Sequence, residues 1–118
     1  MVVPPEEAAR ALTERAGRGA LELSARRDEL RGSAGQAVEL LRSRFGATRV
    51  ILFGSLAWEG FHAGSDVDLA AEGIPPEIAD RAEAEVARLL CHPVELFRLE
   101  ELPESFRLRV LTEGEVLP

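Results

Sequence analysis

The chain has 118 residues, of which 46% are hydrophobic and 30% charged, so it has room for one modest domain but not for two. The 14 basic and 21 acidic residues give a net charge of −7, which argues against direct nucleic-acid binding, since that requires a basic surface. A single cysteine excludes an internal disulfide, no apolar run is long enough to span a membrane, and the N-terminus lacks signal-peptide features, so we expect a cytoplasmic protein without a membrane partner.

The N-terminal segment is predicted to be helical. Pro4-Pro5, followed by two glutamates, is a favourable helix start, because proline suits the first helical position and acids suit the positive end of the helix dipole. Helical composition continues to about Arg31, although Gly17 and Gly19 weaken the middle, where we expect a kink or a split. An apolar stripe at helical spacing either packs on the domain core or binds a partner: Leu12, Ala16, Ala20 and Leu23.

A second helix is predicted to follow a break at Gly32-Ser33. Ser33 is a favourable N-cap, and Gly46 is a favourable end. We therefore divide the chain into an N-terminal helical segment, residues 1–32, and a domain, residues 33–118. The apolar face of this second helix has four members: Ala34, Val38, Leu41 and Phe45.

The remainder of the chain alternates between strands and helices. Thr48–Phe53 is rich in β-branched and aromatic residues and predicts a buried strand, and a loop from Gly54 to Gly64 follows, with one helical turn beginning at Ser55. This order predicts an α/β (α+β) fold with a small mixed β-sheet flanked by helices. The later elements are predicted as strand, helix, strand and helix: Val67–Ala71, Pro76–Leu90, Val94–Arg98 and Leu102–Glu113.

Two aspartates form the first candidate site. Asp66 and Asp68 are separated by one residue, so on a strand both side chains project from the same face. Two adjacent carboxylates repel each other and suit a pair of Mg²⁺ ions, which stabilise the attacking and leaving oxygens in phosphoryl or nucleotidyl transfer. An Asp-x-Asp sequence is also common in turns and exposed strands. The apolar neighbours of this one, however, predict partial burial, and buried charges need partners or metals.

A Gly-Ser pair lies 12 positions before the aspartates. Gly54 permits close approach of the backbone to a phosphate, and a helical turn starting at Ser55 points N–H groups at an anion. A Gly-Ser pair alone is more often an ordinary serine-capped turn. Its spacing to Asp66 and Asp68 is what favours a phosphate-binding loop.

Glu95 is the candidate for a third carboxylate. It stands between Val94 and Leu96 in an otherwise apolar strand, where a charged residue is costly without a partner, and a nearby metal pair would supply one. The alternative is a glutamate on an edge strand that faces water. His62 and His92 are too isolated to form a zinc site with Cys91.

At these residues the chain resembles a known family. The chain looks like the minimal nucleotidyltransferases of the DNA polymerase β-like superfamily. The similarity lies in GSLA at 54–57, in SDVDL at 65–69 with the 12-position spacing from Gly54 to Asp66, and in the later strand acid Glu95. The segments FHAGSD at 61–66 and 102–117 are also similar, so the resemblance runs from about Ala34 to the C-terminus.

The resemblance implies a nucleotidyltransferase fold and a specific activity. Such proteins are commonly antitoxins that transfer AMP from ATP to a tyrosine of a HEPN-type toxin. By this resemblance Gly54 and Ser55 hold the triphosphate, with Ser65 beside them. By the same resemblance Asp66 and Asp68 bind Mg²⁺, and Glu95 takes the position of the third acid, which helps to bind metal and to activate the attacking hydroxyl.

The chain departs from the family pattern in two places. The third acid is usually aspartate, and Glu95 is one methylene longer. The loop usually continues Ala-Arg-Gly, whereas here Ala57 is followed by Trp58-Glu59-Gly60. Two alternatives therefore stay open beside an active adenylyltransferase: a member with little catalysis that neutralises its partner by binding, and a transferase acting on a small molecule.

Overall fold

The computed structural model describes residues 5–57, 61–62 and 64–118, with side chains from residue 21 onward. Two short 3₁₀ turns, Gly54–Leu56 and Leu99–Glu101, connect the main elements. Within the described residues, none of the helices combines the length and apolar character needed to cross a bilayer. The helices are α1 (Pro5–Phe45), α2 (Pro76–Leu90) and α3 (Glu104–Glu113), and the strands are β1 (Arg49–Phe53), β2 (Val67–Glu72), β3 (Val94–Arg98) and β4 (Glu115–Val116).

The N-terminal helix is continuous, so the predicted break at Gly32-Ser33 is wrong, as is a split at Gly17 or Gly19. A helical glycine costs about 1 kcal/mol relative to alanine. Burial of each large apolar side chain on the same helix returns about 1.5–3 kcal/mol, which outweighs that cost. The buried residues form one stripe that spans the predicted break: Leu30, Ala34, Ala37, Val38, Leu41 and Phe45. The helix ends where predicted, and Gly46 has a φ of +80°.

The four strands form one mixed sheet in the order β3-β2-β1-β4. The β1–β2 and β1–β4 pairs are antiparallel, and the β2–β3 pair is parallel. This confirms the predicted fold class: a small mixed sheet flanked by helices, with a long helix at the N-terminus. Strand β4 was not predicted, because two residues are too short for an alternating pattern. Helix α3 starts at Glu104 rather than Leu102, after a 3₁₀ turn and Pro103.

The helices cover both faces of the sheet. The main core packs α1 and α2 against one face, which contributes Leu52, Val67 and Leu69. A smaller core packs α3 against the other face, around Ile51 and Phe53. The Phe53 ring contacts the rings of Phe97 and Phe106, at centroid distances of 5.6 and 5.8 Å. The candidate carboxylates lie on the strands of this second face.

Candidate active site

The three predicted carboxylates are brought together by the pairing of β2 with β3. Asp68 lies directly opposite Glu95 in the parallel register. Residues opposite each other on neighbouring strands project from the same face of a sheet, so these two side chains are neighbours. Asp66 lies two residues before Asp68, immediately ahead of β2. On its other side Asp68 pairs with Phe53 of β1, at the border of the smaller core.

The Gly-Ser loop lies against the carboxylate of Asp68. Gly54 has a φ of +74°, which disfavours any residue with a side chain, and a Cβ built on it would lie 2.1 Å from Oδ2 of Asp68. Glycine is therefore required here for two independent reasons. The half-buried Ser55 follows within the 3₁₀ turn Gly54–Leu56, whose first N–H groups have no partner inside the turn. The loop and the acids, 12 positions apart in sequence, thus form one site.

The site is strongly negative. The pKa of Asp68 is raised from its ordinary value of 3.8 to about 6, mainly by burial and then by the charges of Glu95 and Asp66. None of the ion pairs among the described residues involves any of these three acids. The folded protein thus holds the carboxylates together without a cationic side chain from the described part of the chain to offset their repulsion.

This donor set fits Mg²⁺. Within the described residues, no three acids, histidines or cysteines converge into a ready-made metal cage. Mg²⁺ does not need one, because it usually binds through one or two carboxylates, with waters and substrate phosphates completing the octahedron. The site offers such carboxylates. Next to them, Gly54 leaves the backbone free of a side chain, which leaves room for substrate phosphates.

Glu95 has features of both sequence interpretations. It is solvent-exposed and lies on the edge strand β3, as the alternative of a water-facing glutamate requires. It is also in register with Asp68 and raises the pKa of that residue, as a third site acid requires. Its role as a metal ligand or base stays a prediction. The other departure from the family pattern, Trp58 to Gly60, lies outside the described residues.

Ser65 is placed within the loop that leads into Asp66. Its side chain is 7% exposed, and its hydroxyl accepts a hydrogen bond from the backbone N–H of His62 at 2.9 Å. Its own N–H donates to the carbonyl of His62, also at 2.9 Å. The hydroxyl is therefore engaged inside the loop, and its predicted part in nucleotide binding stays a prediction.

Two residues near the site could not be found from the sequence. Arg31 of α1 donates to the carbonyl of Leu56 at 3.1 Å and pairs with Glu115 at 2.7 Å, so it fixes the end of the 3₁₀ turn. His92 lies 2.7 Å from the carbonyl of Ser65. Both contacts join segments at least 25 residues apart, and no local pattern signals them.

Comparisons with known proteins agree with this geometry. The sequence model described as "Nucleotidyltransferase domain" matches residues 35–113, more than half of the chain. A comparison with curated proteins found no match.

Solved structures with the same fold include three informative ones. A structure described as a minimal nucleotidyltransferase has a TM-score of 0.62 and 29% identity, over 73% of this chain and 89% of that chain. A mutant MntA–HpeT toxin–antitoxin complex contributes a chain with a TM-score of 0.61 and 21% identity, over 69% of this chain and 68% of that one. A toxin–antitoxin structure with AMP-PNP has a TM-score of 0.62 and 23% identity, over 70% of each chain.

Proposed function

The chain belongs to the nucleotidyltransferase domain family, and from this membership we propose that it is a Mg²⁺-dependent adenylyltransferase that serves as the antitoxin of a toxin–antitoxin pair. Its substrate is ATP, and its acceptor is a tyrosine of a HEPN-type toxin. The observation that carries the proposal is the convergence of Gly54 with Asp68 and Glu95, a phosphate-binding loop against paired carboxylates. The toxin–antitoxin assignment is supported by the solved complexes that share this fold.

The residues have distinct roles in this reaction. Asp66 and Asp68, with Glu95, would hold two Mg²⁺ ions, which when bound neutralise the phosphate oxygens and the leaving pyrophosphate. Gly54 and Ser55 bind the triphosphate through backbone N–H groups, because the absence of a side chain at Gly54 leaves the backbone open. The tyrosine oxygen forms a bond to the α-phosphorus, and the bond from that phosphorus to pyrophosphate breaks. Glu95 accepts the hydroxyl proton as general base.

A second candidate function is neutralisation of the toxin by binding, with little catalysis. The exposure of Glu95 on an edge strand favours it, because an exposed glutamate has several rotamers and is held less firmly than the shorter aspartate. The two functions differ in one observable: only the first changes the covalent mass of the partner.

The test is mass spectrometry of the partner protein, the product of the neighbouring open reading frame, after incubation with this protein, ATP and Mg²⁺. We expect one added adenylyl group on a tyrosine, and none with the double variant Asp66→Asn/Asp68→Asn. An unmodified partner that is nevertheless neutralised would support the binding-only function. Calorimetry should also show ATP binding that requires Mg²⁺ and is lost in the double variant.

A further inference from the structure

The two parallel strands that carry the candidate carboxylates are joined at their common start by one side chain. We propose that His92 is a positioning residue for this site: its ring ties the loop entering Asp66 to the turn entering β3 and Glu95. The inference rests on the proposed function, since it concerns the same carboxylates. His92 does not touch the reacting atoms in this view and acts only through the backbone of its neighbours.

The link lies next to the acids on both strands. The Nε2 atom of His92 is 2.7 Å from the carbonyl oxygen of Ser65, the residue immediately before Asp66. A second bond at the same place runs from the N–H of Val67 to the carbonyl of Pro93, at 2.9 Å. The ends of β2 and β3 that carry the acids are thus held by one side-chain bond and one backbone bond.

The hydrogen-bond partners hold the ring in place. The carbonyl of Ser65 can only accept, so Nε2 carries a proton and donates it. On the other side, Nη2 of Arg26 lies 3.4 Å from Nδ1, at the outer limit of a hydrogen bond. The same Nη2 also donates to the carbonyl of Cys91 at 3.0 Å, which anchors Arg26 beside the ring.

The residue that receives this bond has further hydrogen bonds of its own. Ser65 is buried and exchanges two hydrogen bonds with His62, from backbone to hydroxyl and from backbone to backbone. The N–H of Gly64 donates to Nδ1 of His62 at 3.1 Å, which closes the turn. A shift of the Ser65 carbonyl therefore passes to Asp66 through a single peptide unit.

The site needs such a link because the negative charges of its carboxylates favour moving the two strands apart. Repulsion among the three carboxylates favours separation of β2 from β3 at this end, and after burial it is the second cause of the raised pKa of Asp68. Strand β3 lies at the edge of the sheet and has a strand neighbour on one side only. Groups outside the ligand shell that orient metal ligands typically contribute a factor of about 10–100 in metal affinity or activity. His92 occupies such a position.

The test compares His92→Phe, which keeps a ring but removes the donor, with His92→Gln, whose amide can donate from a similar position. The matched control is Leu90→Ala, which creates a cavity in the main core close by in α2 without removing the link. The first readout is the Mg²⁺ concentration that gives half-maximal ATP binding. The second is hydrogen exchange of the Val67 amide in metal-free protein, measured by NMR.

We expect His92→Phe to raise the half-maximal Mg²⁺ concentration about 10-fold, the lower end of the range for such residues, and to accelerate Val67 exchange. His92→Gln should restore both. Leu90→Ala should lower the melting temperature and leave the Mg²⁺ requirement unchanged. Should His92→Phe fail to fold, His92→Leu, which also removes the donor to the Ser65 carbonyl, provides the same two readouts.

Unchanged Mg²⁺ dependence and unchanged Val67 exchange in a folded His92→Phe variant would overturn the inference. So would a Leu90→Ala control that shifts the Mg²⁺ requirement as far as His92→Phe does, because the effect would then follow stability alone. If the wild-type protein binds no ATP with Mg²⁺, the proposed function fails, and Val67 exchange alone decides whether His92 holds the two strands together.

Discussion

At the scale of single residues, Asp68 carries the largest electrostatic cost in the described part of the site. Its folded-state pKa of about 6 lies above its ordinary value of 3.8, so between these pH values the folded state binds more protons than the unfolded state. Stability must therefore fall as the pH rises through this window. Since Asp68 is partly exposed, solvent screening reduces the cost to the order of 1 kcal/mol.

We accordingly predict that Asp68→Asn stabilises the metal-free protein at pH 7 and flattens its stability between pH 4 and 6, because a neutral amide removes both the repulsion and the titration. Thermal unfolding across this pH range measures the effect, with Glu100→Gln as an exposed control outside the site. A metal-free Asp68→Asn variant that is less stable than wild type at pH 7 would contradict the assignment of repulsion at this site.

Glu95 allows a sharper test of catalysis. Its extra methylene moves the carboxylate by about 1 Å relative to the family aspartate, and a displacement of this size can cost on the order of 100-fold in rate. Glu95→Gln should abolish AMP transfer, because it removes the proposed ligand and the proposed base, whereas Glu95→Asp should preserve or raise the rate. The measurement is the rate of AMP addition to the partner. Wild-type activity in Glu95→Gln would exclude Glu95 from the proposed reaction.

At the scale of elements, the sequence predicted those helices and strands that have a marked hydrophobic pattern of their own. Helix α2 and strand β3 were predicted with the bounds that the structure shows, because an amphipathic period and a β-branched or apolar run mark them. Strand β4 was missed because tertiary pairing with Ile51 and Leu52, and not its own two residues, creates it. The continuity of α1 was missed because the low helix propensity of glycine predicted a break. Burial of apolar side chains on both sides of Gly32 outweighs that propensity.

The continuity of α1 yields a prediction at Gly32. This glycine is exposed, and an added Cβ would meet nothing within 4 Å, so only its backbone entropy and weak helix propensity matter. Gly32→Ala should raise the free energy of unfolding by about 0.5–1 kcal/mol. Chemical denaturation measures it. Gly35 is also helical, and a Cβ added to it would meet nothing within 4 Å, so Gly35→Ala should raise the free energy of unfolding by a similar amount. Gly54→Ala should instead destabilise the site, because the added Cβ would collide with Asp68.

At the scale of the whole molecule, the sequence predicted which residues come together at the candidate site better than it predicted the contacts that hold them. Asp66, Asp68 and the Gly54 loop could be inferred because spacing and alternation are local properties. The register of Asp68 with Glu95, and the bonds from Arg31 and His92, depend on how distant segments pack. Such contacts leave no periodic trace in a single sequence. They are nevertheless the part of the fold that sets the distances on which chemistry depends.

The last prediction concerns α1, whose C-terminal part packs in the core and whose N-terminal part is proposed to bind a partner. No side chain described between Leu21 and Glu29 is fully buried, and Leu30, 1% exposed, is the first of the described residues to enter the core. Arg26 and Arg31 then tie the helix to the turn between α2 and β3 and to the 3₁₀ turn Gly54–Leu56. An isolated helical segment of about 20 residues is only marginally stable in water. The side chains of the predicted stripe residues Leu12, Ala16 and Ala20 lie outside the described ones, so a partner-binding role of this segment stays a prediction.

Two truncations separate these roles. Deletion of residues 1–20 should leave thermal stability and Mg²⁺-dependent ATP binding close to those of the full chain while weakening the complex with the partner. Deletion of residues 1–32 should also destabilise the domain by about 2–5 kcal/mol, because it removes the buried Leu30 and both arginine anchors. Calorimetry with ATP and Mg²⁺, thermal unfolding and titration with the partner provide the three readouts. If the protein lacking residues 1–20 binds the partner as tightly as the full chain, the interface lies elsewhere on the domain.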